Sequence, residues 1–147
     1  MLYLIMYVSV VSEDTFKKEL QDILSVSRSW NKSHRITGIL AYIEGKLSHI
    51  TYCRFIQVIE GPEEEIKAIF EKIKNDKRHS QISVLKEGPT SFRNFATWEM
   101  GFEKIDLDKY GELQEFFSLD TKLLADQGNI NENIVLNFMK AFYRNED

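Results

Sequence analysis

The chain reads as an α+β protein: a ferredoxin-like βαββαββ mixed sheet with two helices on one face, followed by two C-terminal helices. Three observations predict this. Residues 2–10 form an apolar, β-branched run without alternation, as expected for a central strand covered on both faces. Gly61-Pro62 followed by Glu63, Glu64 and Glu65 ends one element and starts another, because proline suits the first helical position and carboxylates suit the positive helix end. The apolar spacing beyond it, Ile66, Ile69, Phe70 and Ile73, then follows i, i+3, i+4, i+7.

The other elements fall into place around these. Ser12 is a helix cap, Glu13 and Asp14 favour the first turn, and Phe16, Leu20, Ile23, Leu24 and Ser27 recur at helical spacing, with the end expected near Arg28. Residues 35–43 and 55–59 read as the strands of a hairpin. Strands are also expected at 82–87 and 95–102, then helices at 110–125 and 131–143 separated by Gln127-Gly128-Asn129. The two last helices are expected to cover the open face of the sheet. The domain organisation that follows is 1–104 for the sheet domain and 105–147 for a helical extension packed on it.

With 147 residues, 43% hydrophobic and 29% charged, one compact domain has a full core and a second is not expected. The net charge of -4 gives no broad attraction for nucleic acid or anionic lipid, so neither is an expected partner. The start lacks a basic leader, a small-residue cleavage site and an apolar span of about 18 residues, so it reads as a buried strand and the protein as cytoplasmic. The single cysteine, Cys53, has no companion for a disulfide or zinc site, and His34 and His49 lack acidic or cysteine neighbours at ligand spacing, so no metal is expected. No paired carboxylates, nucleophile–base motif or phosphate cradle supports an enzyme, although His79 or His34 is the residue an acid–base role would use.

Gln57 lies between Ile56 and Val58 in a strand that otherwise reads as buried. An inward amide without partners costs roughly 1–3 kcal/mol, so an inward Gln57 requires a partner, the alternative being an outward side chain on a half-exposed strand. Tyr7 reads equally as a core aromatic whose hydroxyl finds a partner. Asn31 by itself reads as a loop residue tolerating a left-handed turn. Arg78 and His79 read as basic residues favouring the negative end of the preceding helix.

Several segments then recur together: Tyr7-Val8-Ser9; Ser27-Arg28 followed by Asn31; Ile36-Thr37-Gly38; Phe55-Ile56-Gln57-Val58-Ile59-Glu60-Gly61-Pro62; Asp76-Lys77-Arg78-His79; and Arg93-Asn94-Phe95-Ala96-Thr97-Trp98-Glu99-Met100-Gly101-Phe102. In this order, over residues 1 to about 103, they resemble the BLUF family of blue-light sensors using flavin. The resemblance implies a flavin held non-covalently, FAD as the family's usual ligand with FMN or riboflavin left open. It makes Tyr7 the phenol that gives an electron and proton to the excited flavin, and Gln57 the amide whose orientation or tautomer stores the signal. It makes Asn31 the holder of the ring edge, with Ile23 and Ile73 sandwiching the ring. Asp76, Arg78 and His79 then meet the pyrimidine edge or the ribityl and phosphate groups. Trp98 and Met100, alternate positions of the last strand and so on one face, pass the change to the surface. The implied output is altered contact with an effector protein, without catalytic turnover, and the C-terminal helices are left to dock a partner or build a homo-oligomer.

Two departures qualify the resemblance. Residues 46–53 look inserted relative to the family's short hairpin, and are expected to lengthen both arms while Gln57 keeps its register, since a one-residue slip reverses the face. A flavin-free interaction module of the same fold is the alternative that such an insertion raises. Cys53-Arg54-Phe55-Ile56-Gln57 is also similar to the cysteine motif of LOV domains, where cysteine forms an adduct with flavin, but there the motif sits on a helix after a Gly-Arg-Asn segment, a context this sequence lacks.

Overall fold

A computed structural model describes residues 1–11, 13–47, 50–77, 79–109 and 139–140 of the chain. Its elements are β1 (Leu2–Val11), α1 (Glu13–His34), β2 (Thr37–Leu47), β3 (Ile50–Pro62), α2 (Glu63–Lys74), β4 (His79–Thr90), β5 (Gly101–Asp106) and a 3-10 turn at Leu107–Lys109. The five strands lie in the order β4-β1-β3-β2-β5. Every neighbouring pair is antiparallel except β2 and β5, which are parallel. The architecture is therefore the expected mixed sheet with two helices.

The central strand β1 is buried along nearly all its length, as its continuous apolar run requires. Alternation sends Ile5 and Tyr7 to one face and Leu4, Met6 and Val8 to the other. On the first face they pack with Leu40, Tyr42, Ile59 and the α2 residues Ile66 and Phe70; Trp30 of α1 closes the edge. On the second face they join Ile39, Ile56, Val58, Leu85, Phe95 and Met139. The helices expected at 110–125 and 131–143 lie outside the described residues, except for Met139 and Lys140.

The strands β2 to β5 run beyond their expected ends, and three further boundaries differ because a tertiary contact overrides local preference. First, α1 runs to His34 instead of ending near Arg28. Its last turns are held by Trp30, which stacks on His34 at 3.8 Å between ring centroids and receives the Lys72 ammonium of α2 at 3.4 Å from its ring. The stop is then made by Arg35 at φ 59°, which lets the Ile36 N–H reach the Asn31 carbonyl at 2.9 Å. Arg35, and not Asn31, is the left-handed residue; Asn31 is helical and 2% exposed.

Second, β4 begins at His79, before the expected start at 82. Gln81 at φ 52° coincides with a register shift between Val8 and Val10, a bulge that lets the strand resume pairing on both sides. Third, β5 starts at Gly101, so residues 95–100 are not strand. Their backbone is claimed elsewhere: Asn94 and Phe95 N–H groups donate to the Glu60 carboxylate at 2.8 and 2.6 Å, and the Trp98 N–H turns back to the Phe95 carbonyl at 2.9 Å. Trp98 and Met100 therefore do not share a face. Met100 belongs to the helix-covered core, and Trp98 packs on the opposite one beside Phe95.

The inserted stretch extends the hairpin. The β2–β3 ladder is continuous from Thr37 opposite Glu60 to Leu47 opposite Ile50, with Gln57 opposite Leu40 on one side and Tyr7 on the other. Gln57 thus faces the helices, in register with Tyr7.

Candidate functional site

Between α1, α2 and the middle of the sheet lies a partly open pocket. Its apolar surface comes from Leu40, Phe55 and Ile59 of the sheet and from Ile69 and Ile73 of α2. Its polar groups are Tyr7, Gln57 and Asn31, with Ser27, Asp76 and His79 completing the lining. An apolar cleft with a few convergent polar groups is the usual form of a small-molecule site.

Cross-strand pairing explains the central contact. Tyr7 and Gln57 are opposite one another in the β1–β3 ladder, so their side chains rise together on one face. The Tyr7 hydroxyl donates to Gln57 Oε1 at 2.5 Å. The Gln57 Nε2 group points at Met100 Sδ at 3.5 Å, a weak acceptor for a buried amide donor. Burial pushes the Tyr7 phenol far above its ordinary pKa, and the nearby Asp76 carboxylate pushes it further. The phenol therefore stays protonated and acts as a donor.

Asn31 and Arg28, close in α1, both reach the segment before β5. Asn31 Nδ2 donates to the Glu99 carbonyl at 2.6 Å, and Arg28 Nε donates to the Met100 carbonyl at 3.1 Å. Asn31 also lines the pocket.

His79 lies between Tyr7 and Phe55, its ring centroid 5.9 and 6.4 Å from theirs. Both ring nitrogens are engaged: Nδ1 is 2.7 Å from Ser9 Oγ and Nε2 is 2.8 Å from the Ile73 carbonyl. That ties β4 to β1 and to the end of α2.

Of the ten residues singled out from sequence, Tyr7, Asn31, Gln57, Ile73, Asp76 and His79 line this pocket, and Met100 touches Gln57. Trp98 lies on the far face. The Ile23 side chain and Arg78 fall outside the described residues. Cys53 sits on β3 and opens onto a separate cleft with Glu44, Lys46 and Lys104, and does not line the pocket.

Sequence reasoning missed Glu60. It is fully buried and accepts from Thr37, Asn94 and the Phe95 backbone. The signal was a carboxylate in a buried strand between Ile59 and Gly61, with Thr37 and Arg93-Asn94 as unassigned polar residues.

The family model for BLUF proteins, described as sensors of blue-light using FAD, matches residues 2–101. This chain belongs to the BLUF family. Similar BLUF-related proteins include the photoactivated adenylate cyclase subunit alpha-like protein FB of Euglena gracilis, 33% identical over 104 residues that cover 69% of this chain and 9% of that protein. Another is the blue light- and temperature-regulated antirepressor BluF of Escherichia coli (strain K12), 33% identical over 107 residues, or 73% of this chain and 24% of that protein. The chain thus spans between about a tenth and a quarter of the length of these two curated relatives. The dark-state structure of BlrB, a BLUF protein, matches with a TM-score of 0.72 over 99% of this chain and 97% of that one, at 24% identity, a likeness of fold. As a BLUF protein, the chain is a blue-light sensor of the flavin-using kind. Among the described residues no helix is long and apolar enough to cross a membrane, and no cluster of His, Cys, Asp or Glu is arranged to hold a metal.

Proposed function

We propose that this chain holds FAD non-covalently in the pocket between α1 and α2, and that Tyr7 and Gln57 convert blue light into a rearranged hydrogen-bond network. The observation that carries this reading is the buried Tyr7–Gln57 bond, in which the amide's Nε2 meets, among the described residues, a thioether as its acceptor. A buried amide donor is costly without a proper acceptor, and a flavin ring edge offers carbonyl and ring-nitrogen acceptors. Asn31 and the apolar side chains of Ile69, Ile73 and Ile59 suit the same planar heteroaromatic ring.

A bound flavin supplies blue-light absorption and, when excited, an electron-accepting ring. With flavin bound, Tyr7 would be the donor of an electron to the excited ring and of its phenolic proton toward Gln57 Oε1, 2.5 Å away, both returning to the phenol as the cycle closes. Gln57 then rotates or changes tautomer, so that its donor and acceptor ends exchange partners. Asn31 holds the ring edge through Oδ1 while its Nδ2 stays on Glu99. Ile73, which lines the pocket, would cover the apolar ring, with Ile23 as the counterpart that the family resemblance implies. Asp76 and Arg78 meet the ribityl or phosphate groups, while His79 steadies the surroundings of Tyr7 through Ser9 and the Ile73 carbonyl.

The output, in this reading, is a changed contact with an effector protein in the cytoplasm, without catalytic turnover by this domain, with residues 105–147 as the contact or homo-oligomer surface. The test is a light-minus-dark spectrum of the purified chain with the released flavin identified. A yellow protein that shifts slightly to the red in blue light and returns in darkness is expected. A colourless protein that also fails to take up added FAD, FMN or riboflavin sinks the reading. Loss of the ground-state band that Cys53→Ser removes points instead to a cysteine adduct.

A further inference from the structure

We infer that the Glu60 carboxylate is the fixed anchor that makes a rearrangement at Gln57 move β5, a positioning role that rests on the sensor reading above. Gln57 and Glu60 are three residues apart on β3 and so project to opposite faces of the sheet. The same short segment, 93–100, is held by both.

At its start the segment is held through Glu60. This carboxylate is 0% exposed and accepts four hydrogen bonds: from the Asn94 and Phe95 N–H groups at 2.8 and 2.6 Å, from Asn94 Nδ2 at 3.1 Å and from Thr37 Oγ1 at 3.1 Å. Arg93 braces it, donating through Nη1 to Thr37 Oγ1 at 2.9 Å and to the Glu60 carbonyl at 3.2 Å, and through Nη2 to the Arg35 carbonyl at 2.7 Å. Ionised acceptors make stronger bonds than neutral ones, and a buried carboxylate is retained where its lone pairs are filled and a cation is near. A glutamine in its place has acceptor capacity at one atom only, and its amide protons meet the Asn94 or Phe95 donors head on.

At its end the segment is held by the pocket. Met100 Sδ contacts Gln57, the Met100 carbonyl takes Arg28, and the Glu99 carbonyl takes Asn31. Between them, the Gly38 N–H donates to the Trp98 carbonyl at 3.0 Å and joins the middle to β2. β5 begins at the next residue, Gly101, and pairs with β2 alone. With the start fixed at Asn94 and Phe95, a displacement of Met100 has β5 as its outlet. With the start released, the irregular stretch 93–99 absorbs it.

The test uses the full chain with flavin bound, as wild type, Glu60→Gln and Asn94→Ala. Each is read by its light-minus-dark spectrum and by light-dependent hydrogen–deuterium exchange of peptides within 96–106. Glu60 touches neither Tyr7 nor Gln57, so both variants should keep the red shift, whereas the light-dependent exchange difference across 101–106 should be lost in Glu60→Gln and reduced in Asn94→Ala. An exchange difference equal to wild type in Glu60→Gln overturns the anchor. Should Glu60→Gln fail to fold, an Asn94→Ala response equal to wild type overturns it in the same way, and a reduced one supports it. A wild-type chain that shifts to the red without any exchange difference in β5 sinks the anchor alone. One that shows no red shift sinks the sensor reading and the anchor together.

Discussion

Tyr7 and Gln57 face each other across the β1–β3 ladder, and the phenol donates to the amide oxygen at 2.5 Å. The pairing fixes the two side chains through the backbone of two central strands, so their geometry does not depend on a loop.

Tyr7→Phe removes the donor and keeps the ring. The protein is expected to stay yellow and to lose its light-induced red shift. Gln57 Oε1 loses its partner, which costs about 1–3 kcal/mol in stability, read by urea denaturation in the dark.

Gln57→Glu replaces an amide that has both a donor and an acceptor by an acceptor-only carboxylate. Exchange of donor and acceptor ends is then impossible, and the red shift should vanish while flavin remains bound. A variant that still shifts and recovers would place the stored change elsewhere.

Tyr7, like Tyr42, also contributes to an alkaline limit of stability. Its folded pKa is raised, so above about pH 10 the unfolded chain releases the phenolic proton while the folded chain keeps it. The folded state then binds more protons, and stability falls as pH rises, by up to about 1.4 kcal/mol per pH unit from this group. Unfolding free energies from urea titrations at about pH 9 and about pH 11 should fall less in Tyr7→Phe than in wild type, by about 1.4 kcal/mol over that interval.

Gly38 leaves no room for a side chain, since a Cβ would stand 1.9 Å from the Val58 carbonyl oxygen. Gly38→Ala is expected to cost about 3 kcal/mol or more by urea denaturation. Gly101 is similar for a different neighbour: its Cβ would meet the Trp98 ring at 2.1 Å. Gly101→Ala should therefore displace Trp98 and alter its fluorescence, with the red shift retained because Trp98 is on the face away from Gln57.

If the pocket holds FAD, removing it lowers stability by mass action. Apo protein titrated with FAD to about 100 times Kd should gain about 2.7 kcal/mol, and an unchanged midpoint would argue against a folded-state site.

The order of elements from β1 to β4 was legible because each start and stop is local, whereas the face of Gln57 stayed open between inward and outward until the ladder was seen. The β1 run, the Gly61-Pro62 stop and the Glu63 to Glu65 start each act locally. The end of α1 was not legible, because Trp30 is held by His34 stacking and by Lys72, a residue 42 positions away in another helix. Residues 95–100 read as a strand because their composition suits one. The segment is turned out of the ladder where the Glu60 side chain takes the Asn94 and Phe95 N–H groups, and no pattern within 95–100 carries that information. The same error put Trp98 and Met100 on one face. Tyr7, Gln57 and Ile73 were singled out by the family motif, their strands and helix being legible from period, whereas the contacts of Asn31 with Glu99 and of His79 with Ser9 needed the fold.

The long β2–β3 hairpin has a further consequence. In an antiparallel ladder each partner pair is related by reflection about the turn, so adding equal numbers of residues to both arms moves the tip outward and leaves every inner pair unchanged. Thr37 to Leu47 pair with Glu60 to Ile50 without interruption, and Gln57 lies near the fixed base of that ladder. The tip is accordingly a place where the chain tolerates grafted peptide in balanced amounts, because symmetric growth there cannot rotate the amide away from Tyr7.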